Sequence, residues 1–397
     1  MSIFPKWFYK CPFHERKPAC NTVKVLLIVL IVFQASCKKE EFSWGQKVGD
    51  LTYSGNVVFL GASELSMLDQ VTDNQLVFNG TAGEIEKITE TSILVMGISE
   101  KTPYGLLRKV TSLQKNGEEL VASTTDAILP DAVKDGTITL RETLLERNFM
   151  LRSKTPGVLI NESSKFFEGL AITLEKLELL SGGSPAAEVS GSMGLSAELE
   201  ISMIIRSNEI ERIEMAVELT RIDELTISAG HSFSGSGEVT AAEFVHRPVI
   251  IDSLVFVPEV SMIAGFEGLV SGSVNSGVRQ DRVSSLSTRY EGGTWSDQPV
   301  ANTVLYDFLR PQVPGNSDLM VFSGPVLTLR LFGIPFLETE ASSIFSIEQN
   351  EGPSALWKLY IGNGGQSRIM PEILGFTGDH TMNMNAQLSE IGNEGLE

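Results

Sequence analysis

Apolar and polar residues alternate with a period of two over long stretches of the second half of this chain. Leu195, Ala197, Leu199, Ile201, Met203 and Ile205 alternate with Ser196, Glu198, Glu200, Ser202, Ile204 and Arg206. Ile213, Met215, Val217 and Leu219 do the same against Glu214, Ala216, Glu218 and Thr220. Successive side chains of a strand point to opposite faces, so these runs predict antiparallel sheet with one face buried. The spacing predicts a register slip and a bulge at Arg221-Ile222, before Leu225 and Ile227 resume. Over Phe266 to Val278, Val270, Val274 and Val278 share a face with Gly268, Gly272 and Ser276. This predicts strong curvature or close approach of another layer. Tyr290 to Trp295 predicts a hairpin around Gly292-Gly293. Val304, Leu305, Phe308 and Leu309 fall at helical spacing before Pro311, which predicts a short helix over 302–309. The last strands are expected at Val326 to Phe332, Ile344 to Ile347 and Leu356 to Ile361.

The first half reads differently. Short apolar runs, Val57 to Leu60, Leu76 to Phe78 and Ser92 to Gly97, are bounded by Gly, Asn and Asp, as strands between tight turns are. Leu106 to Leu113 runs into Lys115-Asn116-Gly117 and returns over Glu119 to Thr124, a hairpin. Pro130 to Val133 predicts one helical turn before the strand Thr137 to Leu140. Helix-length apolar stripes are scarce. The fold class is therefore mainly β: an N-terminal β-sandwich-like domain over 52–151, then a larger antiparallel β domain with long alternating strands over 152–386 and a flexible tail over 387–397.

Charge narrows the partners. The chain carries 31 basic and 50 acidic residues for a formal net charge of −19, and its first 36 residues hold Lys6, Lys10, Arg16, Lys17 and Lys24 against Glu15 alone. The remainder is thus more acidic still. It repels phosphate backbones, which argues against nucleic acid as a partner.

The few histidines are the candidates for catalytic chemistry. Gly230-His231-Ser232-Phe233-Ser234 invites comparison with the nucleophile elbow G-x-S-x-G, but the closing glycine is missing and the flanks read as strand. His231 and His246 share a strand-rich region with Asp223, Glu224, Glu238 and Glu243, and His380 follows Asp379. None of these spacings defines a triad. No H-E-x-x-H, phosphate loop or EF-hand loop occurs. Asp69 with Asp73, and Glu198 with Glu200, read as solvent-facing strand and turn residues. The expectation is a protein without a catalytic set, cofactor or metal, and a hydrolase using Ser232 is the remote alternative.

The N-terminus speaks most clearly. Val25 to Phe33 is a nine-residue apolar run, too short for a bilayer helix of roughly 20 residues, and with its basic flank it fits a secretory signal. The three cysteines are Cys11, Cys20 and Cys37, all in this leader, so the body has no thiol chemistry and must rest on its core. Phe33-Gln34-Ala35-Ser36-Cys37 resembles the lipobox of bacterial lipoproteins, with Ala35 and Ser36 matching its small residues and Gln34 departing from its usual aliphatic one. Lys38-Lys39-Glu40-Glu41 resembles the export tag of Bacteroidota-type surface lipoproteins. The resemblance covers residues 1–41 and implies a signal peptide over 1–36, lipidation at Cys37 and a tether over 37–51. It also implies a membrane partner held through that anchor, at the outer membrane facing the exterior. Asp252-Ser253-Leu254 resembles the O-glycosylation acceptor of the same group. Gly105 to Thr111, followed by a charged hairpin, resembles modules of uncharacterised secreted bacterial β proteins, which implies fold and no activity. The functional expectation is a non-catalytic binding or structural module with an extracellular protein, glycan or lipid as ligand. A periplasmic carrier of lipid or another hydrophobe is the alternative.

Overall fold

The computed structural model describes residues 47–161, 169–181, 184–312, 315–349, 356–370 and 372–395. The leader and Cys37 lie outside them. The chain is mainly β, with a large antiparallel body and a smaller N-terminal mixed sheet.

The chain opens with β1 (Lys47–Val48) and β2 (Leu51–Tyr53). Next come β3 (Val57–Leu60), the short helix α1 (Ala62–Met67), β4 (Leu68–Val71), β5 (Gln75–Asn79), β6 (Ile93–Met96), β7 (Leu106–Asn116) and β8 (Glu119–Asp126). β3 to β8 form a six-stranded sheet in the order β3-β6-β7-β8-β5-β4, in which β3 and β6 are parallel. Its strands alternate between two cores. Val58, Leu60, Leu94 and Met96 join a local cluster with Leu76 and Phe78, whereas Phe59, Ile93, Val95 and Leu107 join the main core.

After one helical turn, α2 (Leu129–Ala132), the chain enters the large sheets. Their strands are β9 (Val133–Leu144), β10 (Phe149–Lys154), β11 (Val158–Asn161), β12 (Leu170–Ser181), β13 (Ser184–Arg206), β14 (Glu209–Ala229), β15 (Phe233–His246), β16 (Val249–Ile251), β17 (Leu254–Val270), β18 (Val274–Glu291), β19 (Thr294–Gln312), β20 (Ser317–Leu331), β21 (Ile334–Gln349), β22 (Leu356–Ile369) and β23 (His380–Gly395). One sheet runs β1-β2-β9-β13-β14-β18-β19, with β12 and β11 added beside β13. The other runs β10-β15-β17-β20-β21-β22-β23, with β16 beside β17. β9, which precedes residue 151, and β10, which spans it, thus belong to the large sheets. One cluster of buried side chains, from Leu199 and Val217 on the first sheet to Leu329 and Phe345 on the second, fills the space between them.

The alternation read from the sequence is the pairing observed: Ala197, Leu199, Ile201 and Met203 on β13 lie opposite Leu219, Val217, Met215 and Ile213 on β14, all buried. Four expectations give way. No bulge occurs at Arg221-Ile222, because β13 and β14 pair without a break from Glu188 opposite Ser228 to Ile204 opposite Arg212. Leu219, Arg221, Asp223 and Leu225 therefore all point inward, and the charges that looked like a slip are in the core.

Residues 302–309 form no helix but part of β19. Asp281 pairs with Leu305 and Arg282 with Thr303, which leaves Val304 as the extra residue of a bulge, and a bulge breaks the period of two that marks a strand. Phe266 to Val278 is not one strand, since β17 ends at Val270 and β18 begins at Val274. Gly268 serves close approach there. With φ of 142°, a Cβ on it would lie 2.0 Å from the Asp318 carbonyl oxygen of β20. The end of the chain, read from the sequence as a flexible tail from 387, continues as β23 through Gly395 against β22.

Candidate functional site

Midway along the two facing sheets the apolar core is interrupted by a layer of polar side chains. On the first sheet Arg221 lies directly opposite Arg282, and Asp223 directly opposite Gln280. On the second, Ser323 of β20 lies opposite Ser343 of β21, and Ser343 opposite Asn363 of β22. Arg221, Asp223, Gln280, Arg282, Ser323 and Ser343 are all buried. Leu219 and Leu225 close the layer above and below on β14. The alternation of strands places these groups; the small residues across from them make the space. Gly324 is necessary, because a Cβ there would sit 2.9 Å from Arg221 Nη1 and 2.0 Å from the Ala341 carbonyl oxygen.

The hydrogen bonds in this layer cross between the sheets. Arg221 Nη1 donates to the Ala341 carbonyl. The β20–β21 pairing is interrupted at Gly324 and Pro325, between Ser323 opposite Ser343 and Val326 opposite Glu340. Proline has no N–H to give a neighbouring strand, and the guanidinium supplies a donor at that point instead. Ser343 Oγ donates to Asp223 Oδ2, and Gln280 Nε2 donates to the Ile344 carbonyl at 3.4 Å. Arg221 and Asp223 approach to 4.0 Å.

Unpartnered donors in this layer outnumber the unpartnered acceptors, Gln280 Oε1 and Asn363 Oδ1. Arg221 Nε and Nη2 and all three side-chain nitrogens of Arg282 have no hydrogen-bond partner. Each unsatisfied buried polar group costs about 1–3 kcal/mol, more when charged. Electrostatics are strained accordingly. Burial pushes Asp223 above the usual carboxylate range, against the pull of Arg221 and the Ser343 hydroxyl. Burial and the neighbouring Arg221 bring Arg282 down to about 9, and burial lowers Arg221 as well. Both guanidinium groups stay charged at neutral pH.

The residues singled out by sequence are dispersed. Ser232 sits in the turn before β15 and accepts from the Gly272 backbone N–H at 2.8 Å. His246 closes the far end of β15, about 45 Å along the strand at 3.2–3.4 Å per residue. There it is fully buried, donates through Nδ1 to the Arg247 carbonyl at 2.7 Å and packs edge-on against Phe149. Burial lowers its pKa. Glu224 is on the outer face, Glu238 lines a groove with Thr155, Gly157 and Lys176, and Glu243 accepts from Ser153. His380 stacks on Trp295 with ring centroids 4.4 Å apart and donates to Asp297 Oδ1 at 2.8 Å, which joins the β18–β19 hairpin to the start of β23. Asp252 and Ser253 form the tight turn between β16 and β17, where the Asp252 carbonyl accepts from Tyr53. Cys37, the expected lipidation site, is outside the described residues. Among the described residues no three His, Asp or Glu side chains converge as metal ligands.

No family model, curated protein or solved structure matches this chain.

Outward-facing residues of the first sheet form a second feature. Glu200, Ser202, Glu214, Ser287, Arg289 and Gln298 line a shallow groove of about 490 Å³, with Arg289 between Glu214 at 3.5 Å and Glu291. Sequence alternation placed the polar side chains of β13 and β14 on an outer face. The polar layer inside was missed because an inward arginine looked like an error of phase.

Proposed function

We propose that this chain is a lipid-anchored lipoprotein of the outer membrane, facing the cell exterior, whose β body is a non-catalytic binding or structural module. The apolar run Val25 to Phe33, the Ala35-Ser36-Cys37 junction and Lys38 to Glu41 support the anchor and its address. The observation that carries the choice of module is the filled space between the two large sheets. A carrier of lipid needs an apolar void of ligand size, whereas here the facing side chains pack against each other along strands as long as the 23 residues of β13. Such a strand measures about 75 Å, so the body suits a rigid support that holds outer faces away from a membrane. The separation of Ser232 from His246 supports the non-catalytic reading. The outer groove at Glu200 and Arg289 suits a polar extracellular ligand, a protein or glycan.

Metabolic labelling with palmitate tests the anchor, comparing the full chain with Cys37→Ala, while protease is added to intact cells. The expected result is label on the parent alone, with the body cleaved from outside. Equal labelling of both chains overturns the lipidation site, and a labelled body untouched by protease overturns the outward address.

A further inference from the structure

Five guanidinium nitrogens in the middle of the sandwich, two on Arg221 and three on Arg282, have no acceptor, and both side chains are only 1% exposed. Asp223 is the carboxylate that faces them, and even fully ionised it balances one arginine. At least one positive charge is therefore left uncompensated in a layer closed by leucines. Two arginines directly opposite each other on neighbouring strands also repel. Water can accept from an N–H, but it cannot neutralise the pair.

We propose that the Arg221–Arg282 pair binds one small monovalent anion between the sheets, a halide or a planar ion of nitrate or formate size, held by the free guanidinium N–H donors and the Ser323 hydroxyl. Several features converge on this ligand. Ser323 Oγ is buried without a partner and is next in sequence to Gly324, where a Cβ would meet Arg221 Nη1. The bulge of β19 at Val304 sits directly beside Arg282, and bulges are over-represented next to sites. The facing strands give up side-chain bulk here, with Gly324, Ser323 and Ser343 where Leu319, Val321 and Phe345 stand further along. Charge sets the valence: one anion neutralises two arginines and one aspartate. The packing of Leu219 and Leu225 on either side along β14 sets the size. Burial of both arginines, which lowers their proton affinity, is relieved by the same ion. This site is independent of where the chain is anchored.

Thermal unfolding of the purified full chain is the test, in chloride, bromide or sulfate at matched ionic strength, beside Arg282→Met. For the parent, chloride and bromide are expected to raise the melting temperature with saturation, by about 3–5 °C at 100 times the Kd. Sulfate should give only the non-saturating rise common to excluded salts, and Arg282→Met should lose the saturating part. A parent without a saturating halide effect, or a variant that keeps it, overturns the proposal. Should Arg282→Met not fold, bromide-soaked crystals of the parent decide. An anomalous peak in contact with both guanidinium groups supports the site, and the absence of a peak there overturns it.

Discussion

Arg282 is the residue whose burial is hardest to account for by packing alone. Its neighbours on β18 are Gln280 and Ser284, both buried, and its own nitrogens meet no acceptor. Breaking a buried ion pair is costly, but exchanging buried charges for apolar groups of similar volume is neutral or stabilising by about 1–4 kcal/mol. In buffer free of small anions, Arg282→Met is therefore expected to raise unfolding stability by about that amount, while Arg282→Lys, which keeps the charge, does not. Urea denaturation of the three proteins checks this, and a Met variant less stable than the Lys variant would contradict it. The same layer shows what could be read in advance. Counting by two from Leu219 gives Arg221, Asp223, Leu225 and Ile227 on one face, so both charges were legible as inward. The expected slip came from the rule that charges face water, which outweighed an unbroken period. Arg282 was not legible, because Val278-Arg279-Gln280-Asp281-Arg282 reads as polar on both faces. Its partner Arg221 is 61 residues away in sequence and meets it only through strand pairing.

At the scale of elements, the outer face of the second large sheet carries a second charged knot. Glu259 on β17 accepts from Arg330 Nε of β20 at 2.8 Å, from Arg152 of β10 at 2.6 Å and from the Tyr104 hydroxyl at 2.8 Å. Tyr104 lies between β6 and β7, so one carboxylate ties the small sheet to three strands of the large one, β10, β17 and β20. Burial opposes the ionised form of Glu259, but the hydrogen bonds from Arg330, Arg152 and Tyr104 win and hold its pKa below the usual range. A carboxylate with a lowered folded pKa stabilises fully above its unfolded pKa, and that contribution is lost as pH falls through the folded value. Glu259→Gln is expected to cost about 3 kcal/mol at neutral pH, with the gap to the parent closing as pH drops below the ordinary carboxylate range. Urea midpoints across acid pH check the sign: a gap that widens on acidification would rule out the ionised knot. This contact was not legible, since its four residues span Tyr104 to Arg330. The hairpins at Asn116-Gly117 and Gly292-Gly293 were legible because turn chemistry is local. The helix over 302–309 failed because pairing with β18 outweighed a spacing that a single bulge can mimic.

In the whole molecule the two cores meet through one sheet. The six-stranded sheet has no solvated face at its centre. Leu94 and Met96 look into the local cluster, while Phe59, Ile93 and Val95 look into the core of the large sheets. Phe59 meets Tyr53 edge-on at 4.7 Å, and Tyr53 pairs with Val133 at the start of β9. Successive residues of one short strand thus report on different bodies. Leu94→Ala is expected to cost about 2–5 kcal/mol and Phe59→Ala about 3–5 kcal/mol, so total stability hardly distinguishes them. Hydrogen exchange does. Loss of Leu94 should speed exchange in β3 to β8 while β9, β13 and β14 keep their protection, because only the local cluster is opened and such units open separately. Loss of Phe59 should speed exchange in the same small sheet and also in β2 and the first residues of β9, through the lost contact with Tyr53. Identical exchange maps for the two variants would mean that small and large sheets unfold as one cooperative unit. The division of their cores by alternate residues would then be geometric and not energetic.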